Sequence, residues 1–178
     1  MQKKIVITGG PGTGKSTVID ELCRRSYTCM PEISRQVTLE AQKKGVDQLF
    51  LTQPLLFSQL LLEGRVAQYI SAEKSLKDVV FFDRGIPDVH AYMNYISQQY
   101  PPVYVDKCKL HNYDLVFLMP PWKTIYVTDN ERYESFEQSL AIHNHLKHTY
   151  EELGYTIIEV PFGTVSDRTD FILQYIQH

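Results

Sequence analysis

Apolar and polar positions along this chain fall into two alternating kinds of block. Short runs rich in β-branched and aromatic residues separate longer stretches in which apolar residues recur at spacings of three and four. The short runs are residues 3–8 (K-K-I-V-I-T), 27–30 (Y-T-C-M), 78–83 (D-V-V-F-F-D), 114–119 (D-L-V-F-L-M) and 156–160 (T-I-I-E-V). Four consecutive apolar residues ahead of Asp83 suit a strand covered on both faces, as in a parallel sheet.

The periodic stretches predict helices. Residues 16–25 carry Val18, Ile19 and Leu22 on one face, and residues 32–44 carry Ile33, Val37 and Ala41 before Gly45, a C-terminal cap. The longest helix opens with Thr52 as its N-cap and Pro54 in its first turn; Leu56, Leu60, Leu61, Ala67 and Ile70 are its expected core face. Gly64 within it costs about 1 kcal/mol relative to alanine, which points to close packing or substrate approach there. A later helix carries Phe136, Leu140, His143, Leu146, Tyr150 and Leu153 up to Gly154, and Ser166 N-caps a closing one with Phe171, Ile172, Tyr175 and Ile176. The sum is a three-layer α/β/α sandwich: a five-stranded parallel sheet with helices on both faces and right-handed crossovers. Ligands in such sheets bind outside the carboxyl ends of the strands.

Between the first strand and the first helix stands Gly9-Gly10-Pro11-Gly12-Thr13-Gly14-Lys15-Ser16. It fits G-x-x-x-x-G-K-[ST], the phosphate-cradling P-loop, in the strand–loop–helix context that the motif requires. Glycines let the backbone approach phosphate oxygens closely, while the loop N–H groups and the positive helix end supply the anion site. Gly10, Pro11, Gly12, Thr13, Gly14, Lys15, Ser16 and Thr17 are therefore the expected ATP contacts. Lys15 reaches the β/γ-phosphates in such sites, and the Ser16 hydroxyl sits on Mg²⁺.

Other candidates follow later strands. Asp83 ends the third one, where an acid holds Mg²⁺ opposite Ser16, and Arg84 can clamp phosphoryl or substrate oxygens. A helix-start acid paired with its neighbour is the plainer alternative. Asp88 binds substrate hydroxyls, or only favours the first turn of a helix. Glu32 is the candidate to orient or deprotonate an acceptor hydroxyl, with Arg35 holding the acceptor; an intrahelical Glu–Arg pair accounts for the same spacing. Arg132, after Asp129-Asn130-Glu131, is either an arginine delivered in cis to the transferring group or a solvated helix start. His143, His145 and His148 do not share one helical face, so no metal cluster is expected of them.

Composition narrows the partners. The chain has 178 residues, a net charge of −3 and no Lys/Arg-rich run, so one domain over residues 1–178 is expected and neither nucleic acid nor a membrane surface is an expected partner. Cys23, Cys29 and Cys108, odd in number and without C-x-x-C spacing, suggest reduced thiols in a cytoplasmic protein. The long helix after Thr52 offers a face for the core or for a second copy in a homodimer.

With these motifs in view, the chain resembles the NadR-like (ribosylnicotinamide-kinase-like) P-loop ATPases, relatives of nucleoside and nucleotide kinases. The combination of P-E-x-x-R at 31–35, D-R-G-x-P-D at 83–88 and P-P-W…T-D-x-x-R over 120–132 carries the likeness, with the P-loop ahead of it. The resemblance implies a kinase-type core with a lid over about residues 120–133 that contributes Arg132. It also implies an acceptor-side role for Glu32 and Arg35, a catalytic position for Asp83 and Arg84, and adenine contacts at Gly163, Thr164 and Val165. It implies the kinase-like module alone, without an adenylyltransferase partner. The expected activity is a Mg²⁺- and ATP-dependent small-molecule kinase acting on a nucleoside-like hydroxyl; a regulatory or switch ATPase is the alternative.

Overall fold

Successive residues of a strand point to opposite faces of its sheet, and in this protein that two-residue period divides the core. A computed structural model of the chain describes residues 2–126 and 134–176. The strands are β1 (Lys3–Gly9), β2 (Thr28–Met30), β3 (Val79–Asp83), β4 (Leu115–Met119) and β5 (Ile157–Glu159). They form one parallel sheet in the order β2-β3-β1-β4-β5. Among the described residues the helices are α1 (Lys15–Arg24), α2 (Ile33–Lys43), α3 (Leu49–Thr52), α4 (Pro54–Glu73), α5 (Ile86–Tyr95), α6 (Val103–Leu110), α7 (Phe136–Glu152) and α8 (Val165–Gln174), with a 3₁₀ turn at Lys123–Ile125.

Val6, Val80, Phe82, Val116 and Leu118 pack on one side, against α2, α4, α5, α6 and α7. Ile5, Ile7, Phe81, Phe117 and Met119 pack on the other, against α1 and α8. The three-layer α/β/α architecture expected from the pattern is the one observed. With β1 between β3 and β4, the loops leaving β1 and β3 are neighbours at one edge.

Several local expectations need correction. Thr52 is not the N-cap of the long helix: it ends the short helix α3, its hydroxyl donates to the Gln48 carbonyl at 3.3 Å, and Gln53 takes the cap position without a side-chain bond. The core face of α4 is Phe57, Leu61, Leu62, Arg65, Tyr69 and Ala72, whereas Leu56 and Ile70 are each 41% exposed. α4 carries apolar residues on most of its circumference, so periodicity offers two stripes and tertiary packing selects one. Leu140 in α7 is likewise exposed. Thr164, not Ser166, caps α8: its hydroxyl accepts from the Asp167 amide while the Asp167 carboxylate accepts from the Thr164 amide. This Thr-x-x-Asp is a capping box, which satisfies two otherwise unpaired donors where Ser166 could satisfy one. Among the described residues no helix is long and apolar enough to cross a membrane.

Candidate active site

The loop from Gly9 to Gly14 is built by tying its carbonyls outward. The Ser139 hydroxyl of α7 donates to the Pro11 carbonyl at 3.0 Å, Arg168 of α8 donates to the Thr13 carbonyl at 2.8 Å, and the Thr13 hydroxyl donates to Gly10 at 3.1 Å. Carbonyls engaged on the protein side leave the opposite side of the loop to the amides, the arrangement an anion requires. Gly12 and Gly14 adopt left-handed φ of 70° and 77°, and a Cβ on Gly12 would stand 2.5 Å from the Tyr126 ring. Only glycine meets both conditions there.

Lys15 heads α1 at the mouth of this loop. Its ammonium donates to Asp83 at 2.7 Å, with both side chains 8% exposed. Arg84, the next residue, turns the other way: its Nε donates to Glu32 at 2.7 Å. The backbone at Arg84 makes this divergence possible by taking a left-handed φ of 71°, an unfavourable conformation for a non-glycine residue that accumulates at functional sites. Arg65 of α4 adds a second cation to Glu32 at 3.3 Å and donates to the Gly85 carbonyl at 3.0 Å. Glu32 also caps α2 by accepting from the Ser34 amide. Burial acts to raise the Glu32 carboxyl, but Arg84, Arg65 and Lys15 overcome it and hold the group down at about 2. Burial likewise acts to lower Arg84, and Glu32, Asp88 and Asp83 outweigh it and raise that group above its ordinary value.

Asp88 lies beneath this layer, 4% exposed. Its carboxylate accepts from the Thr8 hydroxyl, from the Gly85 amide at 2.9 Å, from the Tyr150 hydroxyl at 2.6 Å and from Arg84 at 3.3 Å. Tyr150 is fully buried, and burial, with the neighbouring Asp88 charge, raises its phenol well above the ordinary value. Asp88 therefore supports the Asp83-Arg84-Gly85 turn and presents no oxygen without a protein donor.

The remaining candidates are spread around the same edge. Ser16 and Thr17 are exposed on the first turn of α1, and the Thr17 hydroxyl donates to the Gly14 carbonyl at 2.7 Å. Arg35 is exposed on the first turn of α2. Gly163, Thr164 and Val165 follow β5, where the Thr164 side chain is engaged in capping α8. Next to them Phe162 stacks on Trp122 at 5.0 Å and 25°. Asp129 and Arg132 lie outside the described residues.

Three residues at the site carried no sequence signal. Arg65, Ser139 and Arg168 each sit within a helix of ordinary composition, and each is buried by contacts to residues at least 20 positions away. The capping box after Thr164 marks where α8 begins, but not that this helix lies against the loop.

Residues 4–168 match the AAA domain family AAA_28. The chain belongs to this family. No match is found among curated proteins. Solved structures that resemble this AAA-family chain include a NadR protein in complex with NR, with a TM-score of 0.76 at 15% identity, covering 99% of this chain and 50% of that one. Deoxyadenosine kinase from M. mycoides has a TM-score of 0.73 at 16% identity, covering 98% of both chains. Thymidylate kinase from Candida albicans has a TM-score of 0.63 at 16% identity, covering 99% of this chain and 91% of the other. At these identities the likeness is one of fold. The chain spans half the length of the NadR chains that it matches. The P-loop kinase fold and the NadR-like resemblance drawn from the motifs are both met by these neighbours.

Proposed function

We propose that this AAA-family protein is an ATP- and Mg²⁺-dependent small-molecule kinase that transfers the γ-phosphoryl group of ATP to a hydroxyl of a nucleoside-like acceptor. One observation carries this reading. Asp83 and Arg84 are consecutive, yet the first holds Lys15 of the phosphate loop and the second holds Glu32 after β2, each at 2.7 Å. A single turn thus joins a donor-phosphate site to an anionic carboxylate that two arginines position. Hydrolysis alone needs no such second half, so the pairing favours a bound acceptor over water. The ligands of the structural neighbours support the same reading: NadR proteins hold NR, or NAD with AMP-PNP, and the mycoplasmal deoxyadenosine kinase holds dATP.

In this reading the loop amides and Lys15 bind the donor phosphates, and Gly163, Thr164 and Val165 flank the base. Phosphoryl transfer passes through a loose transition state in which charge spreads over the transferring group, so positioning matters more than a strong base. Glu32, held ionised by its arginines, orients the acceptor hydroxyl and takes its proton late. Arg84, with Arg132 from the lid, stabilises the transferring group, and Arg35 and Asp88 support the acceptor side. For Mg²⁺ the chain offers the exposed Ser16 hydroxyl and the Asp83 carboxylate, and the described residues hold no group of three or more His, Cys, Asp or Glu that could hold an ion. Mg²⁺ keeps several waters and takes one or two carboxylates plus substrate phosphates, so this sparse donor set fits it. Held by Ser16 and Asp83, the ion would supply positive charge to offset the negative charge of the donor phosphates.

The test is transfer from γ-labelled ATP to a panel of nucleosides, nucleotides and vitamins, read by mass spectrometry. One hydroxyl acceptor is expected to gain a phosphoryl group, with turnover lost in Asp83→Asn and on chelation by EDTA. Release of phosphate to water alone, at a rate that Glu32→Ala leaves unchanged, would show a regulatory ATPase instead.

A further inference from the structure

Arg168 contacts the phosphate loop, yet the proposed reaction gives it no task. It lies on the first turns of α8, 2% exposed, and is among the largest fully buried side chains. Its Nη2 donates to the Thr13 carbonyl at 2.8 Å and lies 3.5 Å from the Met119 sulfur. Its Nη1 stands 2.7 Å from where a Cβ on Gly14 would fall, so the guanidinium lies directly against the loop's exit into α1. The guanidinium carbon sits 5.8 Å over the ring of Trp122, which in turn stacks on Phe162. Its Nε is buried without a hydrogen-bond partner, and among the described residues no carboxylate forms an ion pair with it.

A buried cation without an anion is strongly penalised, and burial pushes the Arg168 guanidinium below its ordinary value. A leucine or methionine would fill the same space without that penalty. The neighbours of the guanidinium explain what arginine adds. Its fork reaches a carbonyl that must point away from the phosphate side of the loop, and its flat face packs on an indole. Its charge lies behind amides that already carry partial positive charge, so it deepens the potential felt by an anion on their other side. The α8 frame that presents it is fixed on α1, where Ile172 and Leu173 join Val18, Ile19 and Leu22 in one core cluster and Arg25 pairs with Asp170 and Ser166.

We infer that Arg168 is a positioning residue of the donor site: it holds the Thr13 carbonyl back, adds positive charge behind the loop amides, and links phosphate occupancy to the Trp122–Phe162 stack. This rests on the reading of residues 9–16 as a donor-phosphate site. Trp122 is the only tryptophan in the chain, so tryptophan emission reports on the surroundings of the ring that Arg168 and Phe162 contact.

The experiment uses inorganic tripolyphosphate, which has neither base nor ribose to touch the stack. Binding to the full chain is measured by calorimetry and Trp122 emission is followed in parallel. Emission is expected to change with the calorimetric midpoint. Arg168→Met is expected to weaken tripolyphosphate and ADP by about tenfold and to abolish the emission change, while Arg168→Lys recovers part of the affinity. Tripolyphosphate that binds the wild-type chain without moving Trp122 emission overturns the inference, whether or not the variants fold. Unchanged affinity in a folded Arg168→Met does the same. If neither tripolyphosphate nor ADP binds the wild-type chain, the donor-site reading falls and takes this inference with it.

Discussion

Lys15 and Asp83 meet at 2.7 Å although 68 residues separate them, and both side chains are largely buried. A buried pair of this kind is costly to break from one side, because the remaining charge keeps its desolvation penalty without its partner. Asp83→Asn is therefore expected to destabilise the fold by about 3 kcal/mol or more, measured by urea denaturation. Lys15→Met strands the carboxylate instead and should cost a similar amount. The double variant should cost less than the sum by more than about 1 kcal/mol, and strict additivity would mean that the two groups do not interact in solution.

Acid stability should carry the mark of Glu32. Its carboxyl is held at about 2 against an ordinary 4.5, so its contribution is complete above the unfolded value and is lost as pH falls from 4.5 through about 2. Glu32→Gln should flatten that part of the stability profile, removing on the order of 2 kcal/mol of pH dependence after allowance for solvent screening. An acid limb in stability that is identical in wild type and variant would show that the arginines do not hold the group down.

Gly64 is explained by packing. A Cβ there would stand 2.7 Å from Cγ2 of Ile33, the first residue of α2. Gly64→Ala gains helix propensity of about 1 kcal/mol but forces an overpacked contact costing about 1–3 kcal/mol, so a net loss of stability is expected. Because Ile33 follows Glu32, the same substitution should weaken the acceptor side more than nucleotide affinity. A lower Tm with ADP affinity unchanged is the expected pair of results; a raised Tm would mean that α2 and α4 are not in contact.

Tyr150 and Asp88 form a fully buried hydrogen bond at 2.6 Å under the Asp83–Gly85 turn. Tyr150→Phe leaves that carboxylate with one donor fewer, at a cost of about 1–3 kcal/mol by thermal or urea unfolding. Turnover should fall with little change in the KM for ATP, since the turn and not the phosphate loop loses support. An increase in KM for ATP as large as the fall in kcat would contradict this placement.

The parts of this protein that depend on short-range pattern were readable in its residues. All five strands stand out because apolar runs of β-branched and aromatic residues end at polar or proline positions, and the phosphate loop stands out because its glycines are spaced by a physical need. The face that α4 buries was not readable, because Leu56 and Ile70 are as apolar as Phe57 and Tyr69 and only the neighbouring elements distinguish them. Arg65, Ser139 and Arg168 were missed for a related reason: a polar residue on a helix looks like solvent-facing surface until a distant carbonyl or carboxylate is placed beside it. Thr164-x-x-Asp167 was a legible start signal, and Ser166 was the weaker choice because no acid follows it at the matching distance.

The pairing of Ile7 with Asp83 across β1 and β3 has an effect beyond architecture. A shift of one residue in that alignment would send the Asp83 carboxylate to the opposite side of the sheet and part it from Lys15. The spacing of Lys15 and Asp83 is thus stored in Val79, Val80, Phe81 and Phe82, the strand residues that fix this register. Exchanges among these hydrocarbons that slip the strand are expected to part Lys15 from Asp83 while leaving every polar group intact.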